Sequence, residues 1–187
     1  MPNHVTTRCT VYGPAAEIAL FKTRMIKDEL VLHPSWHPDE NLRGKPTGEH
    51  MRVFDFNAVI PMPEILRETE SGSDTSYGLF ALGEEQGNRY AGSPLAYPWV
   101  REMGITTREQ FRAWLEKERP EAIEKAKLAI EAKRLTGHTD WYSWSVEKWG
   151  TKWNAYNFEE VADGGGEYEF LIQTAWSFPE PVFEAIA

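Results

Sequence analysis

Several groups of side chains have types and spacing that chemistry could use. His33 and His37 in "HPSWHPDE", with Asp39 two residues on, are donors that suit a divalent transition metal. Their spacing falls in a proline-broken loop, so no helix registers the two rings, and no third fixed ligand is evident. They stand as weak metal candidates, and neither a metal nor a cofactor is expected. Asp55 and Asn57 alternate onto one strand face, and His4 opens a strand that could lie beside it. That set could move a proton, but hydrogen bonds tying strand ends together account for it better. Cys9 is the only cysteine, which rules out an internal disulfide and a cysteine-based zinc site. It alternates with Val5 and Val11 and reads as a small core residue, not a nucleophile. The glycine-rich "ADGGG" joins two strands and does not open a helix, so it is not a phosphate loop. No catalytic set emerges.

Binding chemistry has two candidates. Lys152 and Asn154 alternate with Trp153, a pattern that can hold single-stranded nucleic acid. Glu159, Glu160, Asp163, Glu167 and Glu169 crowd the same hairpin, and their repulsion of phosphate disfavours nucleic acid as the partner. The net charge of -9 points the same way. Those five acids are instead the candidate partner-binding residues, suited to a basic protein surface.

The elements that must position these residues follow from periodicity. Val5 to Tyr12 alternates as a half-buried strand closed by Gly13-Pro14. "AAEIALFKTRMIKDEL" then places Ile18, Phe21 and Met25 on one side of an amphipathic helix. Residues 33–50 read as a loop. "MRVFDFNAVIP" reads as a second strand with Phe54, Phe56, Ala58 and Ile60 on one face, followed by a helical turn around Glu64–Glu68. Residues 70–98 are rich in Gly, Ser and Asp and show no clear element. Two helices follow, with a capping box from Thr106 or Thr107, Pro120 opening the second helix and Gly137 closing it. Residues 107–136 carry so thin an apolar seam (Ile123, Ala126, Ile130) that solvent or a second copy should cover much of them. Lys152–Val161 and Glu167–Trp176 form a hairpin around "ADGGG", and Pro179 starts a last helix.

Trp141, Trp144, Trp149 and Trp153 fall within thirteen residues. On a helix capped by Asp140 and ended by Gly150, the apolar arc spans about 200°, twice that of an ordinary surface helix. Four buried tryptophans would remove roughly 600–1,000 Å² from water, more than a soluble monomer usually leaves exposed. These four and Trp176 are therefore expected to be structural core, joining an inserted helical layer to a sheet.

"MPNHVTTRCTVYG", "FDFNAVIPMPE", "WSVEKWGTKWNAYN" and "FLIQTAWSFPEPVFEAIA", in this order along the chain, resemble the YubB-like family of phage and plasmid accessory proteins. The resemblance implies an α+β fold with a ferredoxin-like antiparallel sheet, in one domain over 1–187 with a helical and loop insertion at 64–137. A ferredoxin-like sheet needs a strand after its second helix, where this sequence ends. That strand is missing or its role has passed to residues before the hairpin. The resemblance transfers no catalytic residues.

With the acidic hairpin, it implies a non-enzymatic accessory protein that binds a host or mobile-element protein complex. The concrete expectation is a counter-defence inhibitor covering a basic, nucleic-acid-binding surface of a host defence complex. An enzyme acting on a nucleotide or small molecule through His33, His37 or Asp55 is the competing class. A structural module oligomerising through the 107–136 helices is a third. No signal pattern or membrane-length apolar run is present, so a cytoplasmic protein without membrane contact is expected.

Overall fold

The computed structural model describes residues 3–34, 37–84 and 93–187. It is a mixed α+β chain with antiparallel sheets. In chain order the elements are β1 (His4–Tyr12), α1 (Ala15–Met25), β2 (Ile26–Leu32), β3 (Pro46–Phe54), α2 (Glu64–Arg67), α3 (Ser73–Ala81) and α4 (Pro98–Glu102). Then come α5 (Arg108–Glu118), α6 (Pro120–Thr136), α7 (Trp141–Lys148), β4 (Tyr156–Gly164), β5 (Glu167–Ala175) and α8 (Glu180–Ile186). The chain divides into two compact units, residues 1–61 with 145–187, and residues 62–144. The insertion expected at 64–137 lies inside the second unit. No helix among the described residues is long and apolar enough to cross a membrane.

In the first unit, β1 pairs with β5 and β5 with β4, giving the strand order β1-β5-β4, while β2 and β3 form a separate two-stranded ribbon. Alternation sends Tyr168, Phe170, Ile172 and Thr174 of β5 inward, all fully buried. α1 and α8 lie on that face. Phe21 of α1 meets Tyr168 and Phe170, and Phe54 stacks on Phe183 of α8 and tilts against Phe170. Phe54, Phe56 and Phe170 are fully buried in this unit, beside Tyr168, Ile172 and Val182.

Three local expectations change here. The helix expected over residues 15–30 stops at Met25, and Ile26–Leu32 is a strand. Met25 accepts a hydrogen bond from the Asp55 amide, and Ile26 opens the ladder against Phe54. Pairing with a distant segment overrides the local helical period. The strand expected through Ile60 ends at Phe54 because the Asp55 carboxylate caps a short 3-10 turn over Phe56–Ala58. Pro46–Glu49, read as loop, belongs to β3.

The second unit is helical. Thr107 and Gln110 form the capping box of α5, and Gly137 ends α6 in the left-handed conformation, at φ 84°. The supposedly structureless stretch contains α3, while residues 85–92 of that expectation lie outside the described residues. α3 packs on α6 where Gly78 meets Ala122 and Ala126. A Cβ at Gly78 would fall 2.0 Å from the Ala122 carbonyl oxygen. The small-residue seam of α6 is thus covered by α3. A second cluster gathers Phe111, Leu115 and Val100 with Tyr77, Trp99 and Trp114 at its margin.

Candidate interaction surface

The five hairpin acids are divided by the pleat and by irregularities in β4. The β4–β5 register shifts between Tyr156 and Glu159 and again between Glu160 and Ala162. Directly opposed residues share a face. Glu159 opposes Leu171 and therefore lies on the outer face with Glu167 and Glu169 of β5. Glu160 opposes the buried Phe170, and Asp163 opposes the buried Tyr168, so these two lie on the helix-covered side.

The inner pair is neutralised within the fold. Arg52 of β3 donates to Glu160 at 2.9 Å, and Lys22 of α1 lies 3.5 Å from Glu160 and 2.5 Å from Asp163. Lys22 also sits over the Tyr168 ring, and Arg52 over that of Phe158. The hydrogen bond from Arg52 holds the Glu160 carboxyl below the usual glutamate range, helped by Tyr168 and the Lys22 charge against an opposing burial effect. Burial, then the adjacent Glu160, pushes the Tyr168 hydroxyl well above the ordinary tyrosine range. The hydrogen bond to Asp163 does most to raise the Lys22 ammonium. These groups lock β3, β4, β5 and α1 together.

The outer acids differ. Glu169 meets Arg8 of β1 at 2.7 Å, whereas neither Glu159 nor Glu167 has a cation within ion-pair distance among the described residues. The outer face also presents Thr6, Arg8, Thr10 and Tyr12 of β1, all exposed. It can offer carboxylates to a basic surface, with Arg8 as the one cation of β1.

The other candidates are placed as follows. The His33 and His37 rings meet edge-on, 4.8 Å apart. The Asp39 carboxylate accepts from the backbone and side chain of Asn41. Among the described residues no group of three or more His, Cys, Asp or Glu could share a metal ion. His4 bonds the Tyr156 hydroxyl at 2.6 Å, while Asp55 accepts from Asn57 and Asn154, so the imagined proton-transfer set is not assembled. Asn154 also accepts from the Phe56 amide at 2.9 Å and is a structural brace. Cys9 is buried, and desolvation pushes its thiol up to about 12.

The tryptophans separate. Trp144 and Trp149 are buried, and the Trp149 indole donates to the Ile60 carbonyl at 2.9 Å. Trp141 and Trp153 are half-buried. Trp176 corrects the sequence expectation, being 46% exposed. β5 ends at Ala175, and Trp176 turns the chain at φ 77°, which takes its side chain off the inward face. Lys152 lies over the rings of both Trp153 and Trp176.

Alternation alone could have separated inner from outer acids up to the β4 irregularities. The roles of Lys22 and Arg52 had no local signal, because their partners lie more than a hundred residues away. In comparisons with known proteins, the chain matches no family model, no curated protein and no solved structure.

Proposed function

We propose that this protein is a non-enzymatic accessory protein of a phage or plasmid. It presents the outer face of its three-stranded sheet to a basic, nucleic-acid-binding surface of a host defence complex and thereby inhibits that complex. The observation that carries this reading is the position of Glu159 and Glu167. They lie on an outer sheet face with no cation of their own among the described residues, while Glu160 and Asp163 are consumed by the fold. The sequence blocks that resemble the YubB-like family supply the genomic setting. A ferredoxin-like reading of the first unit is part of the same proposal. The order β1-β5-β4, with α1 after β1 and α8 after β5, fits strands one, three and two of such a sheet.

The experiment is phage plating on hosts carrying an active nucleic-acid-targeting defence, with the protein expressed in trans. Wild type should raise plating efficiency, and the double variant E159K/E167K should abolish the gain while remaining folded. Unchanged plating with wild type across such defences, or full protection by the folded double variant, overturns the proposal.

A further inference from the structure

β1 is the terminal strand of its sheet, and among the described residues no strand pairs with its other side. The Trp176 amide donates to the Asn3 carbonyl and the Gly13 amide to the Gly166 carbonyl, in register with the ladder between them. Hydrogen-bonded pairs alternate in an antiparallel ladder, so Val5, Thr7, Cys9 and Val11 direct their backbone groups to β5. Thr6, Arg8 and Thr10 direct their N–H and C=O groups outward, away from β5.

Edges of this kind are usually blunted by a bulge, a proline or repeated lysines. β1 has none of these, and its nine residues pair with β5 without a shift. Beside the edge lies a groove of about 590 Å³. Its apolar wall includes Val11, Phe21, Phe178, Phe183 and Ile186, with Phe178 44% exposed. A row of outward backbone donors and acceptors beside an apolar groove suits one kind of ligand, an extended chain with alternating side chains.

We propose that β1 takes up an extended segment of a partner protein as an added antiparallel strand, with the pattern polar, apolar, acidic, apolar, polar. The acidic residue lies opposite Arg8, on the outer face that opposed residues share, and adds a second carboxylate to the guanidinium that already meets Glu169 at 2.7 Å. The polar residues lie opposite Thr6 and Thr10. The two apolar residues lie opposite Thr7 and Cys9 and send their side chains into the groove. Charge favours this occupant over a second copy paired about its own centre at Arg8, which would oppose two arginines.

The test uses the full chain and a labelled, end-capped peptide with the core threonine, isoleucine, glutamate, isoleucine, threonine. Controls rearrange that core so that the isoleucines are adjacent, or replace its glutamate by lysine. Anisotropy should show the patterned peptide binding about tenfold tighter than the rearranged one, with the lysine peptide weaker again. Amide exchange should slow at Thr6, Arg8 and Thr10 when the peptide binds, and stay unchanged at Val5, Thr7 and Cys9. Thr10→Pro removes one outward N–H from an edge position and should weaken binding about tenfold with the fold intact. Ile186→Arg, which charges the groove and spares β1, should weaken it as well. E159K/E167K should leave peptide binding unchanged, so this site and the outer-face proposal fail separately. Equal binding of patterned and rearranged peptides would mean a generic apolar pocket and overturn the inference. A peptide-free dimer already protecting Thr6, Arg8 and Thr10 would overturn it in favour of a second copy.

Discussion

Glu160→Gln tests whether the hairpin acids divide into structural and outward-facing groups. The substitution keeps the side-chain shape and removes the charge that Arg52 reaches at 2.9 Å and Lys22 at 3.5 Å. A hydrogen bond to a charged group contributes about 1.5–3 kcal/mol. Glu160 and its partners are about a third exposed, and solvent screens exposed pairs toward about 1 kcal/mol or less. The buried Tyr168 hydroxyl beside Glu160 loses its charged neighbour as well. The expected loss is therefore about 1–2 kcal/mol at pH 7. Glu159→Gln, with no cation in reach, should stay within about 0.5 kcal/mol of wild type.

The pH dependence has a definite sign. The folded pKa of Glu160 is depressed, so its contribution is present above the ordinary glutamate value of about 4.3. It is lost as pH falls through the folded value. The wild type minus E160Q difference, read by urea unfolding with tryptophan fluorescence, should shrink on acidification. Equal stability of E160Q and wild type at pH 7, or an equal loss in E159Q, would refute the division of the acids.

Other substitutions probe the rest of the fold. Gly78→Ala should destabilise the second unit by about 2–3 kcal/mol in thermal or urea unfolding. The clash with the Ala122 carbonyl outweighs the roughly 1 kcal/mol of helix propensity gained, and a stabilised variant would contradict that packing. Asn154→Ala strands the Phe56 amide and should cost about 1–3 kcal/mol, measured in the same way. With its thiol pushed up to about 12, native Cys9 should react with a soluble disulfide reagent at pH 8 roughly a thousandfold more slowly than unfolded chain. Rapid labelling without unfolding would contradict its burial.

Local chemistry was legible in the sequence. The alternation of Val5–Tyr12, the Thr107–Gln110 box, Pro120, Gly137 and the glycine turn before Glu167 each act within a few residues, and each appears in the fold. Non-local effects were not legible. Ile26–Leu32 continues a helical period and becomes a strand only because β3 pairs with it. α3 looks like loop in composition, yet its Gly78 is what lets α6 approach. Of the five tryptophans expected in the core, Trp144 and Trp149 are buried and Trp141 and Trp153 half-buried, while Trp176 is exposed. The abundance of the ring did not reveal that Phe54, Phe56, Tyr168 and Phe170 are the largest fully buried side chains of the first unit. On the candidate surface, residue type identified the acids, while the register decided which of them Lys22 and Arg52 consume.

Competition on a purified defence complex tests the central claim most directly. A nucleic-acid-binding complex whose activity the protein blocks in cells is titrated with labelled nucleic acid, with and without the protein. The account predicts that the protein displaces the nucleic acid, that displacement weakens as salt is raised, and that E159K/E167K does not compete. Inhibition with nucleic-acid binding unchanged, or equal competition by the double variant, would contradict it.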